Sequence, residues 1–394
     1  MEYCKIILKS GKDQSVKRLH PWIFSGAIKK MLGTPAEGEI VEVLDNKNSF
    51  LCYGHYQIGT ITVRIISFEK RVIDKSFWHD KILKAINYRK KIGFLSGGNT
   101  NVFRMINAEG DNLSGLIIDY YNGTAVVQAH SIGMFTILNT ISEILKDILQ
   151  ENLLAVYNKS KSSLPYKADI KQDDALIFGS PNTNEVLENG NKYFIDWAEG
   201  QKTGFFIDQR ENRKLLEFYA KEKSVLNMFC YTGGFSVAAL QNGAELVHSV
   251  DSSKKAIELT DKNIELNFPD AKNHKSYCED AFKFLENIQD KYDVIVLDPP
   301  AFAKHQKALH NALQGYKRLN QKAIEQIKPG GIIFTFSCSQ AVSKENFRKS
   351  VFVAAANAGR SVKILHQLSQ PVDHPINIFH PEGEYLKGIV LYVE

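Results

Sequence analysis

Hydrophobic and polar positions follow three successive patterns along the chain. In residues 1 to about 70, short apolar or alternating segments (Ile6 to Leu8, Glu39 to Leu44, Phe50 to Tyr53, Thr60 to Ile66) are separated by Gly, Pro and Asn turns, the pattern of a small β-barrel or sandwich. Around Phe68 to Asp74 a helical period takes over, with Phe77, Trp78, Ile82, Leu83 and Ile86 recurring among Lys and Arg. Two strands then meet at Asn122-Gly123, a pair that suits the left-handed turn of a short hairpin. A helix with Ile132, Phe135, Leu138, Ile141, Leu145 and Ile148 on one side follows, and then a strand from Leu153 to Asn158. Residues 161 to 180 are polar and turn-rich, and a second hairpin is predicted at Asn189-Gly190.

From Ser224 onward buried strands alternate with helices. Strands are predicted at Val225 to Phe229, Leu246 to Val250, His274 to Cys278, the segment Y-D-V-I-V-L, I-I-F-T-F, Val362 to Leu365 and Leu386 to Val393. Helices are predicted at Phe235 to Gln241, Lys254 to Leu266, Gln314 to Ile327 and Lys344 to Ala358. Seven strands in this order suit a mostly parallel sheet with one antiparallel edge. The expected class is α/β: a Rossmann-like seven-stranded sheet at 186–394, preceded by a small β barrel at 1–72 and a small α/β middle module at 73–185.

Composition changes this picture little. At 394 residues, two or three domains are expected, and 44% hydrophobic with 24% charged content is ordinary for a soluble globular chain. No apolar run is long enough to span a bilayer and no signal-peptide core precedes the first charges, so the expectation is a cytoplasmic protein with no membrane partner. The five cysteines (Cys4, Cys52, Cys230, Cys278, Cys338) form no C-x-x-C pair, and no His cluster has zinc spacing, so neither a metal nor a disulfide framework is expected. The net charge of +5 is unevenly placed: residues 1 to 30 hold Lys5, Lys9, Lys12, Lys17, Arg18, Lys29 and Lys30 against Glu2 and Asp13. That asymmetry points to a polyanion, with Lys17, Arg18, Lys29 and Lys30 as phosphate contacts, or to a plain solvated basic face.

Candidate chemistry centres on F-C-Y-T-G-G-F-S. A glycine turn directly after a buried strand lets backbone approach a ligand, and an acid about 20 residues on can hold ribose hydroxyls. Phe229, Tyr231, Thr232, Gly233, Gly234 and Asp251 are the residues concerned. The turn lacks the G-x-G-x-x-G that pyrophosphate binding requires, so the expected ligand is a nucleoside without phosphates, and S-adenosylmethionine fits. Asp280, after the next strand, is a second cofactor carboxylate or simply a helix N-cap. Upstream, Gln201, Lys202, Thr203, Gln209 and Arg210 flank two phenylalanines and form a candidate lid. Asp298-Pro299-Pro300 ends a further strand at the ligand edge, where two prolines fix an extended loop.

With D-P-P-A-F and Ser337-Cys338-Ser339 in hand, the chain resembles the PUA-containing bacterial 23S ribosomal RNA (cytosine-5) methyltransferases. H-P-W-I-F, N-A-E-G-D, G-Q-K-T-G-F-F-I-D-Q-R, Y-T-G-G-F-S, D-P-P-A-F and S-C-S stand in the expected order over nearly the whole chain. The resemblance implies a class I methyltransferase fold using S-adenosylmethionine, an RNA-binding PUA barrel, and large-subunit ribosomal RNA as partner; a homodimer is a further partner expectation. Matched position by position, it implicates Gly233, Gly234, Asp251, Asp280 and Asp298 around cofactor and base, with Cys338 as nucleophile. Many RNA cytosine-5 methyltransferases carry a second cysteine in the D-P-P loop; this one has none, so the base that removes the C5 proton is open. Lys304, a further RNA contact, and His305 share the Asp298 loop and are candidates for lowering the thiol pKa. Two other readings remain: an amino-group methyltransferase using the D-P-P loop, and a non-catalytic RNA-binding assembly factor.

Overall fold

The computed structural model describes residues 3–165, 173–303 and 305–394. By contact the chain divides into two compact units: Met1–Val186, Ile195–Phe205 and Val372–Gly383 form one, and Leu187–Phe194, Phe206–Pro371 and Glu384–Glu394 the other.

In the first unit, strands β1 (Cys4–Leu8), β2 (Trp22–Phe24), β3 (Ile28–Leu32), β4 (Ile40–Leu44), β5 (Phe50–Tyr56) and β6 (Ile61–Ser67) form a six-stranded sheet in the order β2-β6-β5-β4-β1-β3, with the short helix α1 (Gln14–Lys17) after β1. Its inward positions, among them Ile6, Leu8, Ile23, Val41, Val43, Cys52 and Val63, make one core. Sequence alternation anticipates β1, β4, β5 and β6. It misses β2, which is only three residues long, and β3, whose last four residues are exposed and carry Lys29 and Lys30. Helix α2 (Lys75–Lys91) is capped by Asp74, whose carboxylate accepts from Phe77 N at 3.0 Å. It packs in a second core with β7 (Val102–Asn107), β8 (Leu116–Tyr121), β9 (Thr124–Ala129), α3 (Ile132–Thr136), α4 (Leu138–Leu149), β10 (Ala155–Asn158) and β11 (Ala175–Gly179). These five strands run β11-β10-β9-β8-β7. The hairpin at Asn122-Gly123 is present, with φ of 45° and 95°. The single helix expected over 132–148 is instead two, because Ile137 leaves helical geometry.

Two later segments belong to this unit by contact, although both fall within the 186–394 stretch expected to be one domain. Residues 372–383 are held there by Arg89, which donates to Asp373 O at 2.7 Å, and by Asn107 Nδ2, which donates to Pro375 O at 3.0 Å. Gly110 makes room for this segment, since a Cβ there would lie 2.0 Å from Pro375 O.

The boundary at 186/187 falls within β12 (Glu185–Glu188), and the second unit continues with β13 (Asn191–Phe194), joined to it by Asn189 and Gly190 at positive φ as expected. Then follow α5 (Arg210–Ala220), β14 (Ser224–Met228), α6 (Gly234–Gln241), β15 (Leu246–Asp251), α7 (Lys254–Asn267), β16 (His274–Cys278), α8 (Ala281–Phe284), β17 (Val294–Leu297), α9 (Leu309–Gln326), β18 (Gly331–Ser337), α10 (Lys344–Ala358), β19 (Val362–Leu368) and β20 (Lys387–Val393). The sheet is seven-stranded in the order β16-β15-β14-β17-β18-β20-β19, and β14 to β18 are all parallel. The antiparallel strand is not the edge, as expected, but β20, inserted between β18 and β19. Burial explains this: β20 is buried at six of seven positions and needs neighbours on both sides, whereas β19 is largely exposed and can take the edge. Among the described residues no helix is long and apolar enough to cross a membrane, and no cluster of His, Cys, Asp or Glu could hold a metal ion.

Candidate active site

Parallel strands all present their carboxyl ends on one edge of the sheet, so residues following them share that edge. In spatial order across β16, β15, β14, β17 and β18, that edge carries Asp280, Asp251, the Phe229–Gly234 loop, Asp298 and Cys338. Neighbouring strands lie ~4.8 Å apart, which places the Asp298 and Cys338 strands side by side and spreads the whole row over ~19 Å.

The loop after β14 is held in an unusual conformation. Phe229, Tyr231 and Gly233 all have positive φ, at 60°, 47° and 73°. Helix α7 fixes the shape: Thr260 Oγ1 donates to Tyr231 O at 3.0 Å and Asn263 Nδ2 to Thr232 O at 2.9 Å. Asp251 at the end of β15 accepts from Tyr231 N at 3.1 Å with one carboxylate oxygen and from Ser253 N at 2.9 Å with the other. Packing inside the protein requires the first glycine and crowds the second. A Cβ on Gly233 would lie 2.8 Å from Thr260 Cγ2, and one on Gly234 would lie 3.0 Å from Arg213 Cδ. Cys230 within this loop is buried against Thr260, and burial pushes its thiol up to about 12, which makes it a packing residue.

These residues fit S-adenosylmethionine. Asp251 is half-buried, and each of its oxygens retains a further lone pair that a ribose hydroxyl can use. No lysine or arginine lies between Phe229 and Asp251 to meet a phosphate. Asp280 is exposed and serves as the N-cap of α8, accepting from Lys283 N at 3.1 Å. Of the candidate lid, Gln209 and Arg210 lie buried at the start of α5 in this unit, with Gln209 Oε1 accepting from Asn212 Nδ2 at 2.6 Å. Gln201, Lys202 and Thr203 fall in the first unit, where Thr203 donates to Asp119 at 2.6 Å and accepts from Tyr121 OH at 3.0 Å.

The loops that follow β17 and β18 are tied to each other through Ser339. Its hydroxyl accepts from Ala303 N at 3.2 Å, five residues after Asp298, and lies 3.1 Å from Tyr316 OH on α9. Phe302 packs on Tyr316 with ring centroids 4.6 Å apart, over Gly315, where a Cβ would meet the ring at 2.9 Å. Asp298 and Cys338 are both half-buried, at the mouth of this framework.

One residue at this edge escapes sequence reasoning altogether. Lys387, the first residue of β20, pairs in register with Ser337, is 3% exposed, and donates from Nζ to Ser339 O at 2.7 Å. Burial pushes it down to about 8, with Cys338 and Glu384 acting in the opposite direction. A lysine opening a C-terminal strand carries no motif; only knowing that β20 inserts beside β18 would have found it.

The expected RNA contacts Lys17, Arg18, Lys29 and Lys30 lie in the first unit and are exposed. Lys17 is paired with Asp13 at 2.5 Å. Lys304 lies outside the described residues, and His305 is exposed.

Comparison with known proteins bears on the family and the fold. Residues 108–380 match the profile of the S-adenosylmethionine-dependent methyltransferase family, and residues 6–68 that of a PUA-like domain. The chain is 38% identical over 394 residues to a protein named ribosomal RNA large subunit methyltransferase I from Aeromonas hydrophila subsp. hydrophila, covering 98% of each. A protein of the same name from Pseudoalteromonas translucida is 38% identical over 395 residues, covering 98% of this chain and 99% of its own. A solved structure from Streptococcus mutans, described as a SAM-dependent methyltransferase, shares the fold with a TM-score of 0.84 at 23% identity over 100% of both chains. A methyltransferase solved in complex with SAH has a TM-score of 0.85, also at 23% identity and full coverage.

Proposed function

The chain belongs to the S-adenosylmethionine-dependent methyltransferase family, and from that premise we propose that it methylates cytosine C5 in large-subunit ribosomal RNA through a covalent bond between Cys338 and C6. The observation that supports this most is the placing of Asp298 and Cys338 on the ends of neighbouring parallel strands, their loops joined through Ser339. The relatives' names supply the substrate class.

Cytosine C5 is a weak carbon nucleophile. Addition of the Cys338 thiolate to C6 turns C5 into an enamine carbon, dividing one hard step into easier ones. Asp298 holds the exocyclic amine and N3 of the flipped base and stabilises charge that develops on addition. S-adenosylmethionine, when bound, supplies the methyl group, and Asp251 with the Phe229–Gly234 loop holds its nucleoside. Loss of the C5 proton to a base and departure of the Cys338 thiolate then restore the aromatic ring. Lys17, Arg18, Lys29 and Lys30 of the barrel would contribute phosphate contacts, a role that does not depend on sequence.

Ribosomal RNA from a strain lacking the gene, incubated with labelled S-adenosylmethionine and digested, should yield labelled 5-methylcytidine. The mechanism is read from RNA carrying fluorine at C5 of the target. Methylation then leaves no proton to remove, so the enzyme stays attached and runs as a shifted band that survives denaturation, only when S-adenosylmethionine is present. Cys338→Ala should abolish both adduct and turnover, while Cys230→Ala and Cys278→Ala still trap. Near-normal methyl transfer by Cys338→Ala would make direct amino methylation the better reading, and no transfer by the unaltered protein would favour a binding factor.

A further inference from the structure

We propose that Lys387 holds the Cys338 sulfur as thiolate, a positioning role that rests on the reading of Cys338 as nucleophile. The placement follows from the fold. Antiparallel insertion of β20 beside β18 puts Lys387 opposite Ser337, and the hydrogen bond from its Nζ to Ser339 O fixes the amine on the residue that follows Cys338. A buried lysine next to a half-buried cysteine at the ligand edge is more than packing needs. An apolar side chain would fill the same space without burying a charge.

Among the described residues, Lys387 is buried beside Cys338, whereas His305 of the Asp298 loop is exposed. Lys344 at the start of α10 is ion-paired with Glu384 just ahead of β20, so their charges largely offset. Glu345 and Arg348 of α10 line the cavity of about 300 Å³ that Lys387 borders, and Glu345 is paired with Lys349. Tyr316 on α9 is bound to Ser339, and Asp298 on the neighbouring strand is an acid, which would oppose a thiolate. With Lys387 lowered to about 8 by burial, part of the population carries a neutral amine near neutral pH. In the activating step the Cys338 S–H bond breaks, its proton passes to that amine, and an ammonium–thiolate pair results. The thiolate adds to C6, and the pair is restored when it leaves.

The test needs no RNA. Iodoacetamide labelling of the full-length protein is followed peptide by peptide across pH, with exposed Cys278 as reference and buried Cys52 and Cys230 reporting an intact fold. In Lys387→Met, Cys338 labelling at pH 7 should fall about tenfold against Cys278, the change expected for one unit in thiol pKa, while Lys387→Arg stays within about threefold of the parent. If Lys387→Met labels Cys52 or Cys230, the same profile in Lys387→Gln decides. An unchanged Cys338 profile in the folded variant overturns the proposal. Because labelling is independent of methyl transfer, this outcome is separate from that of the fluorinated RNA, which alone decides whether Cys338 is the nucleophile.

Discussion

Asp251 has two tasks. It orients the loop by accepting from Tyr231 N and Ser253 N, and on the proposed reading it also accepts the ribose hydroxyls of the cofactor. Asp251→Ala should therefore weaken S-adenosylmethionine by about 1 to 3 kcal/mol, the usual loss when buried hydrogen-bonding groups are stranded. Isothermal calorimetry without RNA checks this, and unchanged affinity would remove Asp251 from the site. A second residue carries a pH response outside the site. His55 is buried in the first unit, stacked on Trp78 at 5.7 Å, and a Cβ on Gly133 would lie 2.2 Å from its ring. Burial pushes its pKa from 6.5 down to about 4. Because the folded value is depressed, its stabilising contribution is complete above pH 6.5 and is lost as pH falls toward 4, reaching about 2 kcal/mol at pH 5 by linkage. His55→Gln should lower the drop in urea midpoint between pH 7 and pH 5, and an equal drop in both proteins would sink the assignment. The placing of Asp298 and Cys338 at the carboxyl ends of β17 and β18 was legible in the sequence because each follows an apolar run that reads as a parallel strand. Lys387 was not, since it meets Ser339 across 48 residues and only the pairing of β20 brings it there.

Among the elements, the turn from β14 into α6 is the most constrained. Gly233 caps α6 in the left-handed region, and Thr260 of α7 occupies the space a side chain would need. Gly233→Ala should lower stability by about 1 to 3 kcal/mol from backbone strain alone, with the clash against Thr260 added. Urea unfolding measures it, and Thr260→Ser in the same chain should recover part of the loss by removing the methyl group that clashes. Strong periodicity made most elements of the second unit legible: β16 and α10 fall where the sequence puts them. Helix α9 begins five residues earlier than expected, at Leu309, because its first turns bury Ala312 and Gly315 beside the Phe302 loop. The order of strands at the far edge was not legible, since apolar patterning says that β20 is buried but not between which neighbours. The glycine turn was recognised, but the reason for its glycines lies in tertiary packing that no local pattern encodes.

At the scale of the molecule, the net charge of +5 on 394 residues is too small to attract a polyanion by itself, so its distribution matters. Replacing Arg18, Lys29 and Lys30 by Gln should weaken RNA binding and flatten its dependence on salt, with S-adenosylmethionine affinity unchanged. Lys17 should add less, because Asp13 already neutralises it. A salt slope that does not move would make the cluster a solvated face. The division into two units also has a consequence for how such a protein can be inherited. The chain crosses between them at 186/187, 194/195, 205/206, 371/372 and 383/384. No single breakpoint can therefore deliver either unit whole. A crossover between genes that swaps everything after residue 205 would bring a foreign 372–383 to Arg89 and Asn107 of the resident half, so recombination succeeds only between parents whose two halves already match at those contacts.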